Sequence, residues 1–89
     1  MISVVMPSYL GDYPNAASNR EEKLPRAIES FLAQGIGELI VVADGCEKTA
    51  EIASKYPVKL IFIDKQPHFS GTPRNIGIEN AQYDYIAYL

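Results

Sequence analysis

Four short runs of apolar, β-branched and aromatic residues recur along this 89-residue chain, separated by stretches that read as loop plus helix. The runs are Ile2–Met6, Leu39–Ala43, Val58–Ile63 and Tyr85–Leu89, each about the length of a β-strand. The first two lack a polar/apolar alternation, so both of their faces must be covered. Three helical patterns lie between the runs. In the first, Leu24, Ile28, Phe31 and Leu32 fall at helical spacing, and Gly35 and Gly37 end it. Asn19 as a cap, with Glu22 three residues on, would put Pro25 beyond the first turn. Pro25 fits better as an early helical residue, which starts this helix near Glu22 to Leu24. The second, Glu47 to Tyr56, places Ala50, Ile52, Ala53 and Tyr56 on one side and stops at Pro57. The third opens with Thr72 as N-cap and Pro73 at the first helical position, then continues through Ile76, Ile78 and Ala81.

The order βαβαβαβ predicts an α/β three-layer sandwich with a mainly parallel sheet and right-handed crossovers. Two crossovers in one direction, then a fourth strand beside the first, give the strand order 3-2-1-4. The first two helices then cover one face and the third covers the other. Such sheets bind ligands beyond the strand C-termini, where the winding direction reverses. Here that point lies between strands one and four.

Composition narrows the function classes. A mass of 9.9 kDa allows one small domain, residues 1–89. Eight basic and 11 acidic residues give a net charge of −3, and no basic block exists, so affinity for nucleic acid or an anionic membrane has no electrostatic support. Cys46 is the one cysteine and His68 the one histidine. An internal disulfide, a cysteine zinc site and a multi-histidine metal site are therefore excluded within one chain. Apolar runs of four to five residues fall far short of the ~20 that span a bilayer. The N-terminus Met1-Ile2-Ser3-Val4 lacks the features of a signal peptide, and a reducing cytoplasm is the expected location. G-x-G-x-x-G after strand one, G-x-x-x-x-G-K-[ST] and G-x-S-x-G are all absent, which disfavours dinucleotide, P-loop and serine-elbow chemistry.

Pro7, Ser8 and Tyr9 follow strand one, and Asp44, Gly45 and Cys46 follow strand two. Gly71, Thr72, Pro73, Arg74 and Asn75 open the third helix. Ser8 offers a hydroxyl or its backbone N–H to a ligand, and Tyr9 offers a ring for stacking; strand termination and a core tyrosine explain them equally. Asp44 either accepts a hydrogen bond from a base imide or sugar hydroxyl, or caps the helix after Gly45. Arg74 gains nothing from the dipole at a helix start, but adds a forked donor to an anion site there; the alternative is a solvated arginine. Cys46 reads as an ordinary residue without a partner base, and His68 as a solvated loop residue. Asn15 to Lys23 reads as a mobile polar excursion. Tyr83, Tyr85 and Tyr88 read as core and edge residues of the last strand.

Ile2-Ser3-Val4-Val5-Met6-Pro7-Ser8-Tyr9 resembles the opening strand of family 2 glycosyltransferases. Ala27 to Gln34 is similar to that family's first helix, and Glu38 to Gly45 to its second strand and acidic turn. Arg74-Asn75-Ile76-Gly77-Ile78 followed by Tyr85 to Leu89 resembles the stretch leading into its metal-binding D-x-D. The resemblance covers nearly the whole chain. It implies the nucleotide-binding, Rossmann-like half of a GT-A fold, and transfer of a sugar from a UDP- or GDP-sugar donor, usually with inversion. It implies that Pro7, Ser8 and Tyr9 line the nucleotide site, that Asp44 meets the base, and that Arg74 meets the base or the phosphate side.

Three departures accompany it. Ala43 stands where the family often has a first acid. Leu10 to Lys23 is longer than the usual link to the first helix. Leu89 falls where the D-x-D should begin, so the metal ligands and general base are expected after it, with no catalytic and no metal-binding residue within the chain. The expectation is a truncated nucleotide-diphospho-sugar-binding domain, inactive alone and not expected to hold the Mn2+ or Mg2+ of a full-length enzyme. Its partners would be a nucleotide-sugar donor and a saccharide, lipid or protein glycan as acceptor. An exposed edge strand would favour self-association. The alternatives are a non-catalytic nucleotide- or protein-binding module of the same fold, or a nucleotidyltransferase. The last usually carries a glycine-rich basic loop after strand one, which Leu10-Gly11-Asp12-Tyr13 does not resemble.

Overall fold

The computed structural model describes residues 1–10, 20–65, 71–83 and 86–88. Its elements run β1 (Ile2–Ser8), α1 (Arg20–Gln34), β2 (Gly37–Asp44), α2 (Glu47–Ala53), β3 (Lys59–Ile63), α3 (Thr72–Glu79) and β4 (Ile86–Tyr88). The strands form one parallel sheet in the order β3-β2-β1-β4. This is the order that the alternation of apolar runs predicts.

β2 is the centre of the molecule. Its residues Leu39 to Asp44 are all buried, without alternation, because helices close both faces of the sheet. On one face Val4, Met6, Leu39 and Val41 meet Leu24, Ile28 and Phe31 of α1 and Ala53 of α2. On the other, Val5, Ile40 and Val42 form a second cluster, with Ile61, Ile63 and Ala81 packed against it. α3 packs on that second face, against β1 and β2. A Cβ on Gly77 would lie 2.3 Å from Val5 Cγ1, so the glycine is what lets α3 sit so low on β1.

The element boundaries differ from expectation in four places. β1 continues through Pro7 to Ser8. β4 pairs only with Ser3 to Val5, so Pro7, which has no N–H, lies beyond the doubly paired stretch where that donor matters. α1 starts at Arg20, with Pro25 inside it. Proline there removes one bond near a helix end, and Arg20, Glu21, Glu22 and Lys23 are good helix formers. Arg20 to Lys23 thus leave the expected polar excursion; residues 11–19, with Asn19, lie outside the described residues. Thr72 is the first residue of α3, not its cap. Gly71 takes the cap position and makes no side-chain bond. The second helix ends at Ala53, before Tyr56.

At the N-terminal end of the sheet, Glu38 gathers three donors. The Ser3 hydroxyl and the Gln82 N–H each donate to its Oε1 at 2.7 Å, and the Lys59 ammonium lies 3.7 Å from Oε2. The Tyr83 N–H donates to Ser3 Oγ at 3.2 Å, and Lys59 donates to the Asn80 carbonyl at 2.7 Å. This network pins the segment between α3 and β4 to the sheet. Burial pushes the Glu38 carboxyl up, but the Gln82 N–H, the Ser3 hydroxyl and Lys59 outweigh it, and it ionises below the ordinary glutamate value.

At the opposite end, Gly45 closes β2 against β3. Its φ is +63°, and its N–H donates to the Ile63 carbonyl at 2.8 Å. A Cβ there would fall 2.7 Å from the backbone N and Cα of Lys65. Only glycine permits both the left-handed conformation and this approach.

Gly45→Ala should lose more than the ~1–2 kcal/mol of a left-handed L-residue. Gly35→Ala, at φ +61° with nothing within 4 Å of its Cβ, should lose only that strain. Urea unfolding of both variants checks the difference. Glu38 has a folded pKa below its unfolded one, so its contribution is complete above the unfolded value and lost as pH falls through the folded one. Unfolding midpoints measured from about pH 6 to about pH 3 should therefore fall less steeply in Glu38→Gln than in the native chain.

Candidate functional site

The parallel register decides which side chains share the C-terminal end of the sheet. Ser8 is level with Ala43, and Asp44 is level with Ile63. Tyr9 and Asp44 are each one step beyond the Ser8 and Ala43 pair, and Lys65 is two beyond Ile63. The Gly45 turn presses the Lys65 backbone against the end of β2. Three side chains from three strand ends therefore meet.

The meeting is through Lys65. Its ammonium donates to Asp44 Oδ2 at 3.2 Å and lies 4.6 Å from the centroid of the Tyr9 ring. Asp44 is only 9% exposed and is the one buried carboxylate among the described residues. The side chain of Lys65 is 38% exposed. The lysine end of the pair is open to water, which screens it, and exposed cation–π contacts contribute about 0.5–1 kcal/mol. A ligand of ordinary affinity can exchange them.

Cys46 separates Asp44 from the helix that follows. Cys46 is the N-cap of α2, its sulfur accepting from the Thr49 N–H at 3.4 Å. The Leu10 N–H donates to the same sulfur at 3.4 Å, tying the chain after β1 to the start of α2. So Asp44 is not the cap, and Cys46 is more than an ordinary turn residue. Burial raises the Cys46 thiol, but hydrogen bonds from Thr49, Leu10 and Lys48 outweigh it and hold the thiol below its usual value. Its burial fits the structural role. The hydroxyls of Ser8 and Thr49 share a hydrogen bond at 3.1 Å, which fixes the Ser8 side chain beside the cap.

Arg74 stands exposed in the first turn of α3. A helix that returns from a parallel strand starts at the strands' C-terminal end, so Arg74 is at the same end as Asp44, on the face that α3 covers. Pro73 beneath it is buried. Pro7 is the half-buried penultimate residue of β1. His68 and Tyr85, and the side chain of Tyr88, lie outside the described residues.

The expected residues thus form two described groups, Tyr9 with Asp44 and Ser8 with Thr49, while Arg74 flanks the point where the winding reverses. Lys65 and Thr49 were not expected. Lys65 was legible: the rule that ligands meet strand C-termini covers the residues after strand three, Asp64 and Lys65, as much as those after strands one and two. Thr49 carried no comparable signal.

The donor set does not suit a divalent cation. Among the described residues no three His, Cys, Asp or Glu side chains group together as metal ligands, and the Asp44 carboxylate already faces an ammonium. The set suits an uncharged donor with a flat ring: an acceptor oxygen at Asp44, a ring face at Tyr9, a hydroxyl at Ser8. No described helix is long and apolar enough to cross a membrane.

The family described as "Glycosyl transferase family 2" matches residues 3–89. The minor teichoic acid biosynthesis protein GgaB of Bacillus subtilis (strain 168) is 35% identical over 96 residues, covering 98% of this chain and 10% of its own length. The uncharacterized glycosyltransferase RP339 of Rickettsia prowazekii is 34% identical, covering all of this chain and 26% of its own length. The uncharacterized glycosyltransferase RC0461 of Rickettsia conorii is 33% identical, over 14% of its own length. The chain therefore spans about a quarter or less of these relatives. No solved structure matches it significantly. With the family's pattern running through all four strands, the chain belongs to glycosyl transferase family 2.

Proposed function

We propose that this chain is the donor-nucleotide part of a glycosyltransferase that transfers a sugar from a UDP- or GDP-sugar, with inversion, to a saccharide, lipid or protein-glycan acceptor in the cytoplasm. The observation that carries the reading is the buried Asp44 carboxylate at the end of β2, level with the Tyr9 ring. Uracil and guanine both present an imide-type N–H, and a carboxylate is the acceptor for it. The base stacks on Tyr9 while its N–H donates to Asp44. Ser8 supplies a hydroxyl or its backbone N–H to the sugar, next to Pro7. Arg74 supplies a forked donor to the phosphate side. On this reading the chain binds and orients the donor, and the metal ligands and general base belong to a longer protein. The chain alone is expected to be inactive.

The family match favours this reading over a nucleotidyltransferase, and a buried carboxylate one step beyond Ala43, near the Tyr9 ring, supports it over a protein-binding module. Titration calorimetry on the full chain should show UDP or GDP binding with a Kd of about a millimolar or tighter. ADP should bind more weakly, because adenine presents an acceptor where uracil and guanine present a donor. Asp44→Asn should weaken the preferred nucleotide by about tenfold or more, the usual loss for a hydrogen bond to a charged group. A folded sample that binds neither UDP nor GDP at millimolar concentration overturns the reading.

A further inference from the structure

In this structure one ammonium occupies both places that a nucleobase needs. Lys65 Nζ is bonded to Asp44 Oδ2 at 3.2 Å and covers the Tyr9 ring at 4.6 Å. The base's N–H requires the Asp44 oxygen, and the base's face requires the ring. Lysine and base therefore compete for one carboxylate and one aromatic surface.

We propose that Lys65 is a built-in competitor for the nucleobase, which the entering donor displaces and then re-engages through its diphosphate. The inference rests on the nucleotide-binding reading above. Three observations support it. The Lys65 side chain is 38% exposed while that of Asp44 is 12% exposed, so the ammonium has an open way out and the carboxylate does not. The lysine stem cannot leave with its head, because the Gly45 turn holds the Lys65 backbone against β2, and the Gly45 N–H bond to Ile63 locks that turn. Finally, the ammonium is a compact charge on a long stem with three rotatable donors, suited to moving between two anions. Released from Asp44, it stays at the mouth of the same crevice and meets the negative part of the ligand.

The exchange conserves charge pairing. Before binding, the ammonium neutralises the buried carboxylate. Afterwards the base N–H satisfies the carboxylate and the diphosphate takes the ammonium. A free nucleoside displaces Lys65 but offers it no anion in return, so the competitor costs a nucleoside affinity and costs a nucleoside diphosphate much less. Lys65 thereby selects donors that carry both a base and a diphosphate.

The test compares uridine with UDP, or guanosine with GDP if that nucleotide is preferred, by titration calorimetry on the native chain and on Lys65→Gln. Removing the competitor should tighten the nucleoside by about three- to tenfold. Losing a charged phosphate contact should weaken the nucleoside diphosphate, so that the ratio of the two Kd values falls by about tenfold or more. Lys65→Arg keeps the charge and should keep the ratio within about twofold of native. Both Kd values rising by one factor, or neither changing, overturns the inference and leaves the nucleotide reading standing. Absence of any nucleotide binding to the native chain overturns that reading, and this inference with it. A native-chain measurement guards against a variant that does not fold. After reductive methylation with labelled methyl groups, the Lys65 resonance should shift on saturation with nucleoside alone. A resonance unmoved at saturation overturns the displacement.

Discussion

A strand with six consecutive buried residues, Leu39 to Asp44, cannot sit at a surface. It must be paired along both edges and covered on both faces, and each other element answers one of those demands. β1 and β3 take the edges. α1 and α2 close one face over Leu39 and Val41, and α3 closes the side where Ile40 and Val42 project. The helices can lie only in the crossovers, because parallel strands need long connections, and the crossovers can turn only one way. The sheet order and the position of the crevice follow from these restrictions.

The same strand places a charge at the end of the sheet. Its last residue is still buried but is a carboxylate, so the end of an apolar ribbon presents an anion that water reaches poorly. Such a group is costly unless a partner accompanies it. The Gly45 turn brings that partner from the neighbouring strand end, since the missing Cβ lets the two backbones touch. A turn that is a matter of backbone sterics thus fixes an electrostatic feature. The cap at Cys46 completes the separation of roles: sulfur serves the orphan donors of α2 and of Leu10, and Asp44 is left to face Lys65.

Much of the architecture was legible in the residues because it is written in hydrophobic periodicity. The unalternating runs at Val4–Met6 and Leu39–Ala43 announce two covered faces, and helical spacing at Leu24, Ile28 and Phe31 announces what covers one of them. Boundaries were less legible. Pro25 argued for a later start to α1 than the one observed, since a single proline is a local penalty and tertiary burial of Leu24 and Ile28 is a larger collective gain. Thr72-Pro73 looked like a cap and first turn, but the helix takes in Thr72. Of the site, Tyr9 and Asp44 were legible as residues beyond strand ends. Lys65 was legible in the same way, beyond strand three, but its contact with both was not, because that depends on a glycine turn whose tightness has no periodic signature.

The hydrogen bond from the Tyr83 N–H to Ser3 Oγ joins residues 80 apart in the chain. Beside it β4 lies against β1, so the first strand of this sheet in sequence is paired with its fourth. Closing so large a loop is entropically expensive before any contact compensates, and topologies of this kind assemble slowly. During synthesis, β1 and β2 can zip together and be roofed by α1 while the far edge of β1 still waits for its neighbour. Ser3 and Glu38 then act as a late latch, engaged only when the link after α3 swings in. The gap between β1 and β4 is accordingly a late part of this sheet to take shape.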